Sequence, residues 1–207
     1  MTAPAVNFPA EILYLRDDDI PQYVQDGIAD IGILGENVVA ESRKNINVAK
    51  KLGFSKCRLS LAVPKATDYA GVQFFQGKKI ATSYPGILSK YLKDNGVEAE
   101  IHKISGSVEI APGIGLADGI CDIVSSGSTL FSNGLKEVDQ IFQSQAVLVT
   151  YPKMSAAKEA LLNKILFRIE AVNKARRFKY ILLNAPDEQV ESIISVLPGM
   201  KSPTVMP

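Results

Sequence analysis

Apolar residues recur along this chain in two patterns, one typical of strands and one typical of helices. Short apolar or alternating runs predict strands over residues 11–16, 31–34, 57–63, 79–82, 99–104, 120–124, 146–150 and 180–184. Helical spacing predicts helices over residues 19–25, 87–95, 129–133, 157–172 and 188–196, while residues 36–47 are polar and carry no clear period. Strands that alternate with helices predict an α/β fold with a largely parallel sheet covered on both faces.

One ten-residue segment occurs twice. Asp26-Gly-Ile-Ala-Asp-Ile-Gly-Ile-Leu-Gly35 returns as Asp118-Gly-Ile-Cys-Asp-Ile-Val-Ser-Ser-Gly127, and an amphipathic stretch precedes each copy, over residues 19–25 and 108–117. In both places the pattern predicts a helix, a glycine that ends it, a buried strand and a polar loop. Two related lobes that face a cleft are the interpretation we favour.

The second copy alone ends in a tract of small and hydroxyl side chains, Ser125-Ser-Gly-Ser-Thr129. A loop that leaves a buried strand and enters a helix presents unpaired backbone N–H groups, and a glycine lets that backbone close on an anion. Asp122 precedes the tract and is placed to accept hydrogen bonds from ribose hydroxyls. The tract predicts a site for a phosphate-bearing sugar, although an ordinary serine-rich turn has the same composition.

Composition limits the remaining possibilities. The 207 residues are 46% hydrophobic, and 23 basic side chains balance 22 acidic ones, so no global field favours nucleic acid or a membrane surface. Cys57 and Cys121 lie among apolar or small residues and are expected to be reduced core thiols. The chain shows neither an apolar run of membrane-spanning length nor a signal-peptide pattern at Met1, which predicts a cytoplasmic protein.

A wider set of motifs resembles one enzyme family. The motifs, in chain order, are Arg16-Asp-Asp-Asp-Ile-Pro21, Asp30-Ile-Gly-Ile-Leu-Gly-Glu-Asn37, Leu52-Gly-Phe-Ser-Lys-Cys-Arg58, Ile80-Ala-Thr-Ser-Tyr-Pro85, Gly106-Ser-Val-Glu-Ile-Ala-Pro112, Asp122-Ile-Val-Ser-Ser-Gly-Ser-Thr-Leu130 and Leu197-Pro-Gly-Met-Lys-Ser-Pro203. Together they resemble ATP phosphoribosyltransferase, the first enzyme of histidine biosynthesis, over nearly the whole chain.

The resemblance implies a fold, a reaction and a set of site residues. The fold would be two-lobed like type II periplasmic binding proteins, with mixed, mostly parallel sheets and a central cleft. The enzyme, a glycosyltransferase, would join N1 of ATP to C1 of phosphoribosyl pyrophosphate and release pyrophosphate, with Mg²⁺ carried by the pyrophosphate. The implied ligands of phosphoribosyl pyrophosphate are Asp122, Ser125, Ser126, Gly127, Ser128 and Thr129, with Glu109 a nearby polar contact. No nucleophilic side chain and no metal ligand is assigned.

A second set of residues is a candidate for binding ATP in the cleft. Arg16 is a candidate for the triphosphate, Tyr84 for stacking on adenine, and Gly35 and Glu36 for further contacts. For Arg16 a salt bridge to Asp17 or Asp19 is an equally good interpretation, and for Tyr84 simple core packing is slightly better. The resemblance also implies a homo-oligomer.

The chain departs from the family pattern at both ends. Family members open with a strand and a basic, Lys-Ser-Gly-Arg-like loop, which is not found before Arg16. At the other end, residues 201–207 resemble the stretch that leads, in the long form, into a histidine-binding regulatory domain. We therefore expect residues 1–62 to form a first lobe without its first strand, completed by part of 146–207. Residues 63–145 would form the second lobe, with the C-terminal regulatory domain absent. Whether such a shortened core turns over is left open.

Two other functions fit the same features. A non-catalytic, two-lobed small-molecule-binding module has the same architecture, because fold alone does not determine function. A phosphoribosyltransferase with another acceptor base would share the loop at residues 125–129.

Overall fold

The structure is a computed structural model that describes residues 1–176, 179 and 181–196. The chain divides into two compact units, Met1–Asn163 and the residues from Lys164 onward. The strands of the first unit are Thr2–Pro4 (β1), Glu11–Leu13 (β2), Ile31–Gly35 (β3), Asn47–Lys51 (β4), Cys57–Pro64 (β5), Lys79–Thr82 (β6), Glu100–Lys103 (β7), Gly119–Val124 (β8), Leu135–Ser144 (β9) and Ala146–Thr150 (β10). Its helices are Ile20–Gln25 (α1), Glu36–Ser42 (α2), Pro85–Asp94 (α3), Ser128–Ser132 (α4) and the beginning of Ala156–Ala175 (α5).

A three-stranded antiparallel sheet, in the order β3-β10-β4, forms what we call the first lobe, together with α1 and α2. Its core consists of Val24, Leu34, Val38, Val147 and Val149. A Cβ at Gly32 would lie 2.6 Å from Ile20 and 3.0 Å from Val24, so the absence of a side chain lets α1 pack directly on β3. Strands β1 and β2 pair separately as a small antiparallel hairpin.

The second lobe contains a five-stranded sheet in the order β7-β6-β8-β5-β9, with α3 and α4. Strand β6 is parallel to β7 and β8, whereas β5 is antiparallel to β8 and β9. The expectation of mixed sheets is confirmed, but the expectation that they are mostly parallel is wrong for the described strands. Strand β5 leads from the first lobe into the second, and both of its neighbours, β8 and β9, run in the opposite direction. It therefore pairs antiparallel on both sides. It also pairs within this sheet although residues 57–62 were expected in the first lobe.

Apolar side chains cover both faces of the five-stranded sheet. On one face Leu59, Leu61 and Ile80 pack with Phe75 and with Leu88 of α3, and on the other Ala62, Ile120 and Val124 pack with Val108 and Leu130. Successive side chains of a strand point to opposite faces, which explains why neighbours such as Leu61 and Ala62 belong to different clusters. Cys121 is a fully buried free thiol, as predicted, and Cys57 is free and half-buried.

Several elements differ from the sequence prediction. Helix α2 and strand β4 occupy much of the region taken as polar and irregular, and the ten-residue strand β9 was not predicted at all. No α-helix forms over residues 108–117, where the structure has a single 3₁₀ turn, Val108–Ile110, followed by turns. Gly119 therefore does not end a helix but begins β8.

The unit that begins at Lys164 contains the rest of α5, a 3₁₀ turn at Asp187–Gln189 and a helix at Val190–Val196 (α6). The last two agree with the helix predicted over residues 188–196. Residues 181–184 are not a strand, contrary to the prediction, and residue 180 lies outside the described residues. No helix in the part of the chain that the structure describes is both long and apolar enough to span a membrane.

Candidate functional site

The hydroxyl-rich loop follows β8 at the edge of the second lobe nearest the first. Gly127 has a φ of 81°, a left-handed conformation that glycine adopts without strain, and the chain then enters α4. The side chains of Ser126 and Ser128 bond to each other at 2.9 Å, and Phe131 N–H donates to the Gly127 carbonyl at 3.1 Å. The N–H groups of Ser126 and Gly127 donate to no acceptor among the described residues. The loop is therefore exposed and tightly turned, and these two N–H groups are able to donate to a ligand.

Asp122 lies shortly before this loop, and the charge of Glu109 acts on its carboxylate. The Asp122 carboxylate accepts from the N–H of Ile123 at 2.8 Å. In the sheet, Asp122 of β8 lies opposite Ser60 of β5. Burial raises the pKa of Asp122 above its usual value and repulsion from Glu109 adds to the rise, while the Ile123 bond opposes it. Because a half-buried carboxylate without a cation is poorly solvated, this site favours a ligand that offers hydroxyl or metal partners.

Tyr84 joins the two lobes. Burial raises its pKa to about 12, and the charges of Asp122 and of Asp18 and Asp17 in the first lobe contribute, whereas a hydrogen bond with the Asn37 side chain lowers it. The phenol is therefore neutral at physiological pH and lies among groups from both lobes. Tyr84 was predicted to contact ATP and Asp122 to contact phosphoribosyl pyrophosphate. The structure places them near enough for the charge of Asp122 to act on the Tyr84 phenol.

Gly35 and Glu36 begin α2 at the facing wall. A Cβ at Gly35 would lie 2.3 Å from the side-chain oxygen of Asn37, so this position has no room for a side chain. Asn37 is buried and its side chain accepts from the Ser144 hydroxyl at 2.7 Å, while its own N–H donates to that hydroxyl at 3.1 Å. Sequence analysis quoted Asn37 within a motif but gave it no role. Its burial and its two hydrogen bonds with Ser144 of β9 make it a structural link between the lobes.

A cavity of about 380 Å³ lies between Glu36 on one side and Ser125 on the other. Its lining is polar and includes Lys51, Lys56, Arg58 and Gln143. Lys51 pairs with Glu36 at 2.7 Å and Arg58 with Glu137 at 2.5 Å. The volume suits a small phosphorylated ligand, since such pockets commonly measure about 300–1,000 Å³.

The lobes also meet at the N-terminus of α3. The Glu41 carboxylate of α2 accepts from the N–H groups of Gly86 and Ile87 at 2.8 and 2.9 Å, and Arg43 donates to the Gly86 carbonyl at 3.4 Å. An anionic side chain is favourable at the start of a helix. No motif in the sequence pointed to Glu41, because its partner is a backbone 45 residues away.

Arg16 is the least constrained of the predicted residues. Its side chain is exposed and forms no ion pair with Asp17 or Asp19 among the described contacts, so the salt-bridge interpretation is wrong. Its backbone carbonyl accepts from Asp19 N–H at 3.0 Å in the turn before α1. The guanidinium is thus available to a ligand.

Within the described residues, no three His, Cys, Asp or Glu side chains come close enough together to hold a metal ion. The pair Asp122 and Glu109 offers hard carboxylate oxygens, the donor type that Mg²⁺ prefers. Such a pair fits an ion whose other ligands come from phosphate oxygens and water.

Comparison with known proteins identifies the family of this chain. The sequence model of HisG, ATP phosphoribosyltransferase, matches residues 16–171, and that of the HisG C-terminal domain matches residues 175–207. The second match begins well before residues 201–207, the stretch that was expected to lead into the regulatory domain. ATP phosphoribosyltransferases of Cytophaga hutchinsonii and Bacteroides fragilis are each 61% identical to this chain, over 98% and 97% of its length and 71% of theirs.

Solved structures give the same result for the fold. The chain is similar to one from the ATP phosphoribosyl transferase (HisG:HisZ) complex of Thermotoga maritima, with a TM-score of 0.73, 28% identity, and coverage of 84% of this chain and 88% of that one. It also resembles a substrate-binding protein of an amino acid ABC transporter, with a TM-score of 0.59, 14% identity and coverage of 77% and 72%, which confirms the periplasmic-binding-protein-like, two-lobed fold. By its sequence, over most of its length, this chain belongs to the ATP phosphoribosyltransferase family.

Proposed function

We propose that this chain transfers the phosphoribosyl group of phosphoribosyl pyrophosphate to N1 of ATP, the first step of histidine biosynthesis. The C1–oxygen bond to pyrophosphate breaks as the C1–N1 bond forms, and pyrophosphate leaves. The observation that carries the proposal is the loop at residues 125–129, which follows Asp122 and has two N–H groups that donate to no acceptor in the described part of the chain, in a chain of this family. The site residues and their roles are part of the proposal.

The second lobe would hold the sugar phosphate. The N–H groups of Ser126 and Gly127 and the hydroxyls of Ser125, Ser128 and Thr129 would bind the 5-phosphate. Asp122 would accept from the ribose hydroxyls, with Glu109 behind it. These bonds fix C1 relative to the acceptor, and positioning of this kind can contribute several kcal/mol, on the order of 7–11 in the best intramolecular cases.

The first lobe would hold ATP. Arg16, which is exposed and has no side-chain ion pair among the described residues, would contact the triphosphate, and Gly35 and Glu36 would face it from the beginning of α2. Tyr84 stays protonated because its pKa is raised to about 12. It could therefore stack on adenine and donate a hydrogen bond, but it would not act as a base at neutral pH.

Mg²⁺ would enter with the pyrophosphate group. Asp122 would be a candidate ligand, and the charge of Glu109, which acts on Asp122, would favour a cation there. When bound, the ion would neutralise charge that develops on the leaving group.

The test of the proposal is a coupled assay. The chain is mixed with ATP, phosphoribosyl pyrophosphate, Mg²⁺ and a pyrophosphatase, and phosphoribosyl-ATP is followed by its ultraviolet absorbance. Saturable product formation supports the proposal. Saturable binding of phosphoribosyl pyrophosphate with no product would leave a binding protein and overturn the catalytic part.

The remaining alternative is a phosphoribosyltransferase that uses another acceptor base. Replacing ATP by other nucleotides and by free bases in the same assay distinguishes it from the proposed function. We expect ATP to be preferred, because the cleft combines the neutral phenol of Tyr84 with an Arg16 side chain that forms no ion pair among the described residues. Faster transfer to another base would identify a phosphoribosyltransferase with a different acceptor. A cytoplasmic location and a homo-oligomeric state stay predictions.

A further inference from the structure

We infer that Arg58 and Glu137 form a positioning pair that orients the first peptide of the 125–129 loop for phosphate binding. The Arg58 side chain donates from Nη1 to the Ser125 carbonyl at 3.2 Å. It is held there by Glu137, which accepts from Nε at 2.5 Å and from Nη2 at 2.6 Å. The inference rests on the proposed function, since it names residues that prepare the proposed phosphate site.

Ser60 completes the arrangement. Its hydroxyl donates to the same Glu137 carboxylate at 2.7 Å, and the residue is almost fully buried. Burial of this partner leaves the carboxylate little freedom to rotate. The hydrogen bond from Arg58 lowers the pKa of Glu137, with Ser60 adding to the effect, so the pair is ionised at physiological pH. A planar guanidinium bound by two parallel bonds to a carboxylate has a defined orientation, which a lysine cannot supply.

The sheet brings these residues together through two irregularities in β9. Going along β5, the register with β9 shifts between Leu59 and Ser60 and again between Leu61 and Ala62. Glu137 lies opposite Ala62 and Gln140 opposite Ser60, although the two are three residues apart on β9. Opposite residues share a face, so an uninterrupted strand would place them on different faces. The bulge puts Glu137 on the face of Arg58, Ser60 and Asp122.

The contact with Ser125 has a geometric consequence for the loop. A trans peptide is planar, so its C=O and the following N–H point in opposite directions. Because Arg58 holds the Ser125 carbonyl, the Ser126 N–H points away from Arg58. This N–H is one of those that donate to no described acceptor. The pair therefore fixes which way the loop presents its donors.

Arg58 is a positioning residue and not itself the phosphate cation in this arrangement. Three of its nitrogens are already engaged, two of them with a carboxylate that cancels the charge. Because the two charges cancel, the Arg58–Glu137 pair would attract a nearby phosphate only weakly. Removing Glu137 and removing Arg58 should therefore have the same sign of effect on phosphate binding.

The test measures binding of ribose 5-phosphate and of pyrophosphate separately by titration calorimetry, using the whole 207-residue chain. The variants are Arg58→Gln, Glu137→Gln, the double variant and Arg58→Lys, with Lys90→Gln as a control that removes the exposed Lys90–Asp94 pair of the same lobe. We expect each glutamine variant to weaken ribose 5-phosphate binding about tenfold, the double variant to add little, and Arg58→Lys to recover part of the loss. Pyrophosphate binding should change less than twofold, as should both ligands in Lys90→Gln.

Three outcomes would overturn the inference. Unchanged ribose 5-phosphate binding in Arg58→Gln would show that the pair is not needed. Weaker binding in Arg58→Gln but tighter binding in Glu137→Gln would make Arg58 a direct phosphate cation. Equal weakening of both ligands would indicate general damage to the fold.

Hydrogen exchange separates this inference from the proposed function. In the ligand-free chain, the amides of Ser128 and Phe131 donate within the loop and should exchange faster in Arg58→Gln than in the parent or in Lys90→Gln. If the parent binds no ribose 5-phosphate, the proposed function fails whatever the exchange shows. If the exchange rates of parent and variant are equal, the positioning role fails even where the parent binds.

Discussion

The two copies of the repeated segment have similar sequences but different structures. In the first copy Gly27 ends α1 with a φ of 71°, Asp30 lies in a turn and β3 begins only at Ile31. In the second copy the strand begins at Gly119 and includes Asp122. The difference follows from position in the sheet: β3 is an edge strand that pairs with β10 alone, whereas β8 is central and pairs with β6 and β5.

The comparison shows how equivalent residues acquire different roles. Asp30 is partly exposed and forms an ion pair with Lys158 at 2.7 Å. Asp122 is half-buried, has no cation near it among the described contacts and lies beside the loop. The first aspartate is neutralised by a cation and the second is desolvated because each strand has different neighbours, which is consistent with the proposed ligand site at the second copy.

The largest expected effect concerns the first glycine of each copy. A Cβ at Gly119 would lie 2.7 Å from the Phe75 ring and 2.9 Å from the Ala62 carbonyl, both fixed in the core. We expect Gly119→Ala to lower the free energy of unfolding by about 3 kcal/mol. Gly27→Ala introduces a left-handed alanine against Tyr151 and should cost about 1 kcal/mol. Urea denaturation of both variants measures the difference, and equal losses would contradict the distinction between close packing and backbone conformation.

The next effect concerns the aspartates. Asp122→Ala removes the proposed acceptor for ribose hydroxyls and should weaken binding of phosphoribosyl pyrophosphate roughly thirtyfold, because hydrogen bonds to charged groups contribute about 1.5–3 kcal/mol. Asp30→Ala removes an exposed ion pair and should change this affinity less than about twofold. Titration calorimetry compares the two, and a loss of the same size in Asp30→Ala would show that the copies do not differ in function.

The last glycines of the two copies should also behave differently. Gly127→Ala meets no atom closer than 3.9 Å but must keep a φ of 81°, so we expect a loss of about 1 kcal/mol in stability and about tenfold weaker phosphate binding. Gly35→Ala forces the Asn37 side chain aside and should mainly disturb its bonds with Ser144 and its effect on the Tyr84 phenol. The pKa of Tyr84, followed by its ultraviolet absorbance, should change only in the second variant.

The smallest effect is a pH dependence. The folded-state pKa of Asp122 is raised, so the folded chain binds its proton more tightly than the unfolded chain, whose value is near 3.8. The carboxylate therefore lowers stability progressively as pH rises from about that value through the folded pKa. Relative to the parent, Asp122→Asn should gain stability across this interval and keep the gain at neutral pH. Denaturation at pH 3.5 and pH 7.5 measures it, with Asp30→Asn as the control that should show no gain at pH 7.5.

Prediction from sequence succeeded where a pattern is local. Strands β6 and β10 were predicted with their observed bounds, since buried, β-branched runs between breakers have few alternatives. Strand β9 was missed because its two bulges interrupt the alternation that identifies a strand. The expected helix over 108–117 did not form, since Gly113, Gly115 and Pro112 favour turns there.

For the site, the sequence identified the loop and Asp122, which are continuous in the chain. It gave no reason to connect Asn37 with Tyr84, Glu41 with the start of α3, or Arg58 with Glu137. Each of these partners is at least 45 residues from the other, and such contacts depend on which strands pair and in what register.

The sequence by itself determined the two-lobed α/β class, the family and the hydroxyl-rich loop, because these depend on local periodicity and on motifs that stay in order along the chain. Only the tertiary structure decided which copy of the repeat carries a desolvated aspartate and which a paired one. Burial, repulsion and hydrogen bonding are properties of neighbours in space. Two nearly identical segments therefore diverge once one becomes an edge strand and the other a central strand.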